Sequence, residues 1–157
     1  MAYLDTNVLL SYYFENDGNH QRTVRIVESL KLRGEKAYVS PLTIAELYSV
    51  VSRALDKLRL PPCFASLDRE RQIHALIKDI IKRVGVVVVN DEPRLDQVNE
   101  GKAFHIYARA AEQAGQLKLK TLDLLHIAYA LWLAERKSVH TLITFDKEIT
   151  GDRCLSN

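Results

Sequence analysis

The sequence predicts a three-layer α/β/α sandwich around a central parallel sheet of about four or five strands. Short runs of continuous apolar character at Ala2 to Leu4, Ala37 to Val39, Val86 to Val89 and Thr141 to Phe145 lack the alternation of a half-exposed strand. They read as strands covered on both faces. Long stretches of helical character separate them. Right-handed crossovers between parallel strands then bring every C-terminal strand end to one edge of the sheet, where ligands of open α/β sheets bind.

The first strand runs directly into a helix expected over 6–13, and a second helix is expected over 20–34, ending at Gly34. After the second strand, Ser40 and Pro41 supply an N-cap and a first-turn proline for a helix over 41–58, which Pro61 and Pro62 terminate. A helix over 68–84 ends at Gly85, another helix C-cap position. Asn90, Asp91, Glu92 and Pro93 read as a compact turn from the third strand into a helix over 93–116. Helices over 121–138 and 146–150 complete the pattern.

The chain has 157 residues, 47% hydrophobic and 27% charged, with six Gly and four Pro. This composition excludes collagen-like, low-complexity and disordered classes, and predicts a single domain over 1–157. A net charge of +2 lacks the dense basic character of a protein coated on nucleic acid, while leaving transient phosphate contact open. Cys63 and Cys154 form neither a disulfide framework nor a zinc-type pair, and the N-terminus does not read as a signal peptide. The apolar stretches are too short to span a bilayer. A cytoplasmic protein with no membrane role is expected.

The strand ends are Asp5, Ser40, Asn90 with Asp91, and Asp146. Asp5 and Asp146 each suit the N-cap of a following helix. If both strands are central, the two carboxylates also share one edge within a few strand spacings. Asp123 opens a segment, Leu122 to Ala134, that is apolar on nearly every side, so its helix should be buried. A carboxylate there either serves the helix dipole or meets other acids around a cation, which offsets its desolvation. Glu46 points away from the apolar stripe of Ile44, Leu47, Tyr48, Val51 and Leu55, and periodicity alone reads it as solvent-exposed.

Four segments together resemble the PIN domain family, and within it the small VapC-type toxins: Tyr3 to Leu10, Ser40 to Leu47, Leu122 to Leu131 and Leu142 to Ile149. The resemblance implies a metal-dependent ribonuclease in which Asp5, Glu46, Asp123 and Asp146 hold Mg²⁺ or Mn²⁺, with Asn7 and Thr144 in support. It also implies an RNA substrate, a homodimer and an antitoxin protein as partner. Phe145 departs from the pattern, since many relatives carry a basic or polar residue there. Residues 61–119 carry no diagnostic motif.

Oxygen donors without cysteine suit a hard cation, which polarises a phosphate oxygen and lowers the pKa of water. His126 lies one helical turn from Asp123, where packing or orientation competes with ligation. RNA contacts are expected among Lys31, Arg33 and Lys36, among Arg53, Lys57 and Arg59, or at Lys118 and Lys120. Tyr12, Tyr13 and Phe14 either stack on bases or serve as core or dimer contacts. Two alternatives stand beside the nuclease: a PIN-scaffold RNA- or protein-binding module without turnover, and an aspartyl-phosphate phosphatase. The second lacks its general acid, because Asn7 stands where that chemistry needs a second Asp.

Overall fold

The computed structural model describes residues 1–58, 60–137 and 139–150. Arg59 and Cys154, both singled out above, lie outside the described residues. Four strands, β1 (Ala2–Leu4), β2 (Ala37–Val39), β3 (Val86–Val88) and β6 (Thr141–Ile143), form one parallel sheet in the order β3-β2-β1-β6. The register pairs Tyr3 with Tyr38 on one side and with Leu142 on the other.

The chain moves outward from β1 through α1 (Thr6–Tyr13) and α2 (His20–Leu32) to β2, then through α3 (Pro41–Ala54) and α4 (Arg69–Val84) to β3. It returns through α5 (His105–Leu117) and α6 (Thr121–Lys137) to place β6 on the other side of β1. Strand order therefore reverses at β1, and such a switch point opens a crevice at the C-terminal ends of the strands.

Alternation within β1 divides the core. Ala2 and Leu4 face a cluster built with Val8, Leu9, Val27, Leu47, Val51, Leu76 and Ile80 from α1 to α4. Tyr3 faces the opposite cluster, with Leu125, Ala128, Trp132 and Leu133 of α6 and Ile106 and Ala110 of α5. The central strands β1 and β2 are thus covered on both faces, as their unalternating sequences require, whereas the edge strand β3 departs from that expectation and exposes Val87 and Val88.

Local signals set most boundaries. The Asp5, Ser40 and Asp68 side chains cap α1, α3 and α4, and Gly34 and Gly85 adopt φ of 66° and 77° in the left-handed region just beyond α2 and α4. Helix α3 ends at Ala54 and continues as a 3₁₀ turn, Leu55–Lys57, rather than as α-helix to residue 58.

The helix expected over 93–116 is the largest correction. Its first part is an antiparallel hairpin, β4 (Leu95–Val98) with β5 (Gly101–Phe104), and α5 begins only at His105. Asn99 turns the hairpin with a left-handed φ of 50°, which asparagine tolerates. His105 Nδ1 lies 2.5 Å from Asp96 Oδ2, and its amide donates to the Arg94 carbonyl, tying hairpin to helix. Helix α6 is also less enclosed than expected. Leu122 is exposed, and Ile127, Ala130 and Leu131 line an open apolar groove. The stretch Tyr12 to Phe14 packs against the first core, and the Tyr12 and Tyr13 hydroxyls donate to Glu28 and Asp79, so Tyr12 and Tyr13 are intramolecular anchors. No described helix is long and apolar enough to cross a membrane.

Candidate metal centre

A cleft of about 280 Å³ opens at the switch point, lined by Asp5, Asn7, Glu46, Asp123, His126 and Asp146 together with Arg53. Four elements contribute the acids. Asp5 follows β1, Asp146 follows β6, and Glu46 and Asp123 sit on α3 and α6.

Asp5 is buried and held from three sides. The Thr144 hydroxyl donates to its Oδ2 at 2.6 Å, Asn7 Nδ2 donates to the same oxygen at 2.8 Å, and the Thr6 amide donates to Oδ1 at 2.6 Å. Asp5 is thus both helix cap and cleft wall. Asn7 spans the switch point, because its Oδ1 also accepts from the Phe145 amide at 3.1 Å. Thr144 Oγ1 accepts from the Asp146 amide at 3.0 Å, and Asp146 in turn caps the short helix α7 (Lys147–Thr150) through the Glu148 amide.

Glu46 is half-buried, which corrects the expectation of a solvent-facing side chain. Helical periodicity located the stripe facing α1 and α4, but the His126 side chain of α6 reaches Glu46 on another side of α3. Glu46 Oε2 accepts from the Thr6 hydroxyl and from His126 Nε2, the latter at 2.8 Å. Burial raises the Glu46 carboxyl, but those two hydrogen bonds outweigh it and leave the group below its ordinary value.

His126 lies inside the cluster. Its Nε2 is 3.3 Å from Asp5 Oδ1, and suitable ligand atoms of Asp5, Glu46 and His126 all fall within 4.8 Å of one another. Burial lowers its imidazole, whereas Glu46 and the charge of Asp5 raise it further, so the net shift is upward. Burial raises the Asp123 carboxyl, and repulsion from Asp146 and Glu148 adds to that. A convergent set of oxygen donors with mutual repulsion fits a hard divalent cation, which would relieve that repulsion.

The PIN domain family profile matches residues 2–150. The chain belongs to the PIN domain family. Among solved structures, this PIN chain resembles VapC20 of Mycobacterium tuberculosis, described as a sarcin-ricin loop cleaving toxin, with 13% identity and a TM-score of 0.58. The match covers 96% of this chain and 93% of that one. It also resembles VapBC2 from Rickettsia felis, solved bound to a DNA fragment from the promoter, with 16% identity, a TM-score of 0.55, and coverage of 94% and 89%. At these identities the likeness is one of fold. No match is found among curated proteins.

All four predicted acids, with Asn7, line the cleft, and Thr144 braces it from behind. From the sequence, Ser40 reads only as a strand end and helix cap, packing or orientation competes with ligation for His126, and neither Thr6 nor Tyr3 is singled out. The spacing of Asp123 and His126 was the available signal for the histidine; nothing in the sequence marked Tyr3, which reads as an ordinary strand residue. Among the predicted basic clusters, Lys31 pairs with Glu28, Arg33 with Glu35 and Lys120 with Glu148, whereas Arg53 reaches the cleft. Arg22 stacks over the Phe145 ring at 5.5 Å, so a basic group from α2 stands at the position where Phe145 departs from the family pattern.

Proposed function

We propose that this chain is a metal-dependent endoribonuclease, a single-domain VapC-like toxin of a cytoplasmic toxin–antitoxin pair. Convergence of Asp5, Glu46, Asp123 and Asp146 on one cleft at the switch point carries the reading. A homodimer and an antitoxin that occupies the cleft belong to the same proposal, and the antitoxin is consistent with the VapBC2 likeness.

The four carboxylates would hold Mg²⁺ or Mn²⁺, which supplies a Lewis acid at the phosphate and favours ionisation of water. The chain's own residues orient the reaction. Thr144, Asn7 and the Thr6 amide fix the Asp5 carboxylate, while His126 and Thr6 engage Glu46 Oε2. Glu46 would either complete the coordination or orient the attacking water. Water adds its oxygen to phosphorus, one P–O ester bond breaks, and the proton that the water gives up passes through solvent to the departing oxygen. Arg53 pairs with no carboxylate among the described residues and donates to the Ser49 carbonyl, which leaves guanidinium donors for backbone phosphate.

The deciding experiment is cleavage of single-stranded RNA with Mn²⁺ or Mg²⁺ and with EDTA, using the wild type, Asp5→Asn and Asp123→Asn. Cation-dependent cleavage lost in both folded variants is expected. Equal activity in all three proteins rejects the site. RNA binding without turnover in the wild type makes the chain a binding module, and a covalent phosphoryl group on Asp5 makes it a phosphatase.

A further inference from the structure

Tyr3 is fully buried on β1, two residues before Asp5, so both side chains project from the same face of the strand. Its hydroxyl lies 2.8 Å from Ser40 Oγ, 2.8 Å from His126 Nδ1 and 3.4 Å from Thr43 Oγ1. Three elements, β1, α3 with its N-cap, and α6, therefore meet at one phenol that no solvent reaches. A buried tyrosine needs a partner for its single proton, and here the partners are already specified.

Proton counting gives the chain a direction. His126 Nε2 faces two carboxylate oxygens, Glu46 Oε2 at 2.8 Å and Asp5 Oδ1 at 3.3 Å, and only a protonated nitrogen is attractive to both. In a neutral ring Nδ1 is then an acceptor. The Tyr3 hydroxyl, 2.8 Å away, carries the hydrogen that this acceptor takes, so it donates to Nδ1. Tyr3 Oη accepts in turn from Ser40, whose Oγ accepts from the Thr43 amide as the N-cap of α3. The path leaves α3 at Ser40, crosses β1 and α6, and returns to α3 at Glu46. If the ring takes a second proton, Nε2 keeps its hydrogen and Tyr3 remains the partner of Nδ1, so the alignment holds in either charge state.

We propose that Tyr3 is a positioning residue for the cleft: through His126 it fixes the carboxylate plane of Glu46, and with it the donor geometry offered to a divalent cation. The inference rests on the reading of Glu46 as part of a cation site. It assigns Tyr3 no contact with substrate. Partners of this kind typically change metal affinity by about 10- to 100-fold when removed.

The test compares metal-free wild type, Tyr3→Phe, His126→Gln and the double variant. Histidine-selective ¹⁵N NMR reads the ring at a pH where it is neutral, and Mn²⁺ titration followed by electron paramagnetic resonance reads affinity without RNA. Expected are a protonated Nε2 and a hydrogen-bonded Nδ1 in the wild type, a displaced Nδ1 resonance in Y3F, and about tenfold weaker Mn²⁺ binding in Y3F. The double variant should bind no more weakly than H126Q, because Tyr3 acts through the ring. Unchanged Mn²⁺ affinity in folded Y3F, or additive losses in the double variant, overturns the inference. Should Y3F not fold, the wild-type spectrum decides, and an Nδ1–H tautomer overturns it. Wild-type protein that binds Mn²⁺ but cleaves no RNA refutes the nuclease reading while leaving the Tyr3 result standing.

Discussion

The Thr144 hydroxyl donates to Asp5 Oδ2 at 2.6 Å across 139 residues of sequence, joining the ends of two adjacent parallel strands. Asn7 reinforces the junction by contacting Asp5 and Thr144 through Nδ2 and the Phe145 amide through Oδ1. The acidic cluster is consequently held by short polar side chains at the switch point itself.

Replacing Thr144 with Val removes that donor and leaves a buried carboxylate oxygen short of one partner. A loss of about 1–3 kcal/mol is expected from urea denaturation. Thr144→Ser, which keeps the hydroxyl, should recover most of it. A wild-type midpoint for the valine variant would show that Thr144 does not brace Asp5.

Cation binding to the folded state alone must raise stability. At a free Mn²⁺ concentration about 100 times the dissociation constant, the gain is about 2.7 kcal/mol, or roughly 5–10 °C in midpoint for a domain of this size. Thermal melts with Mn²⁺ and with EDTA measure it. Asp123→Asn should melt near the wild type in EDTA, since relief of repulsion from Asp146 and Glu148 opposes loss of a helix-dipole contact, and should lose most of the Mn²⁺ increment.

Arg53→Ala should weaken RNA binding by a few-fold to tenfold, raising KM with little change in kcat. The slope of log affinity against log salt concentration should fall by about one for one lost phosphate contact. Lys31→Ala, which removes a cation already paired with Glu28, is the control with an unchanged slope.

The hairpin anchor has a definite acid dependence. The hydrogen bond from His105, followed by Arg94, holds the Asp96 carboxyl below its ordinary value despite the opposing cost of desolvation. A depressed folded value means that the stabilisation is present above the unfolded pKa, near 3.8, and is lost as pH falls through the folded one. Asp96→Asn should therefore flatten the acid limb of the stability curve, measured by denaturation between about pH 5 and pH 2. An unchanged acid limb would show that the anchor carries no proton linkage.

The sheet was legible because strands buried on both faces need uninterrupted apolar runs, and Ala2–Leu4 and Ala37–Val39 meet that need; Val86–Val88 has the same apolar run but lies at the sheet edge, where Val87 and Val88 are exposed. Asp5 and Asp146 were legible as strand-end residues. The hairpin was not: Asn99-Glu100 lacks the Asn-Gly signature of tight turns, and the segment that follows is genuinely helical. Periodicity alone left Glu46 facing solvent because it reports one buried face, and the family resemblance placed it in the acidic set; the side of α3 that periodicity could not see is the one His126 reaches. Tyr3 was invisible for a different reason. Nothing local separates a phenol that fills space from one that aligns a histidine.

Strand order carries a consequence for synthesis. Asp5 is made 141 residues before Asp146, and only the docking of β6 against β1 brings them together. Until β6 has been made and has docked, the cleft lacks one of its walls, so its assembly is tied to the last pairing of the sheet rather than to the strand that opens it.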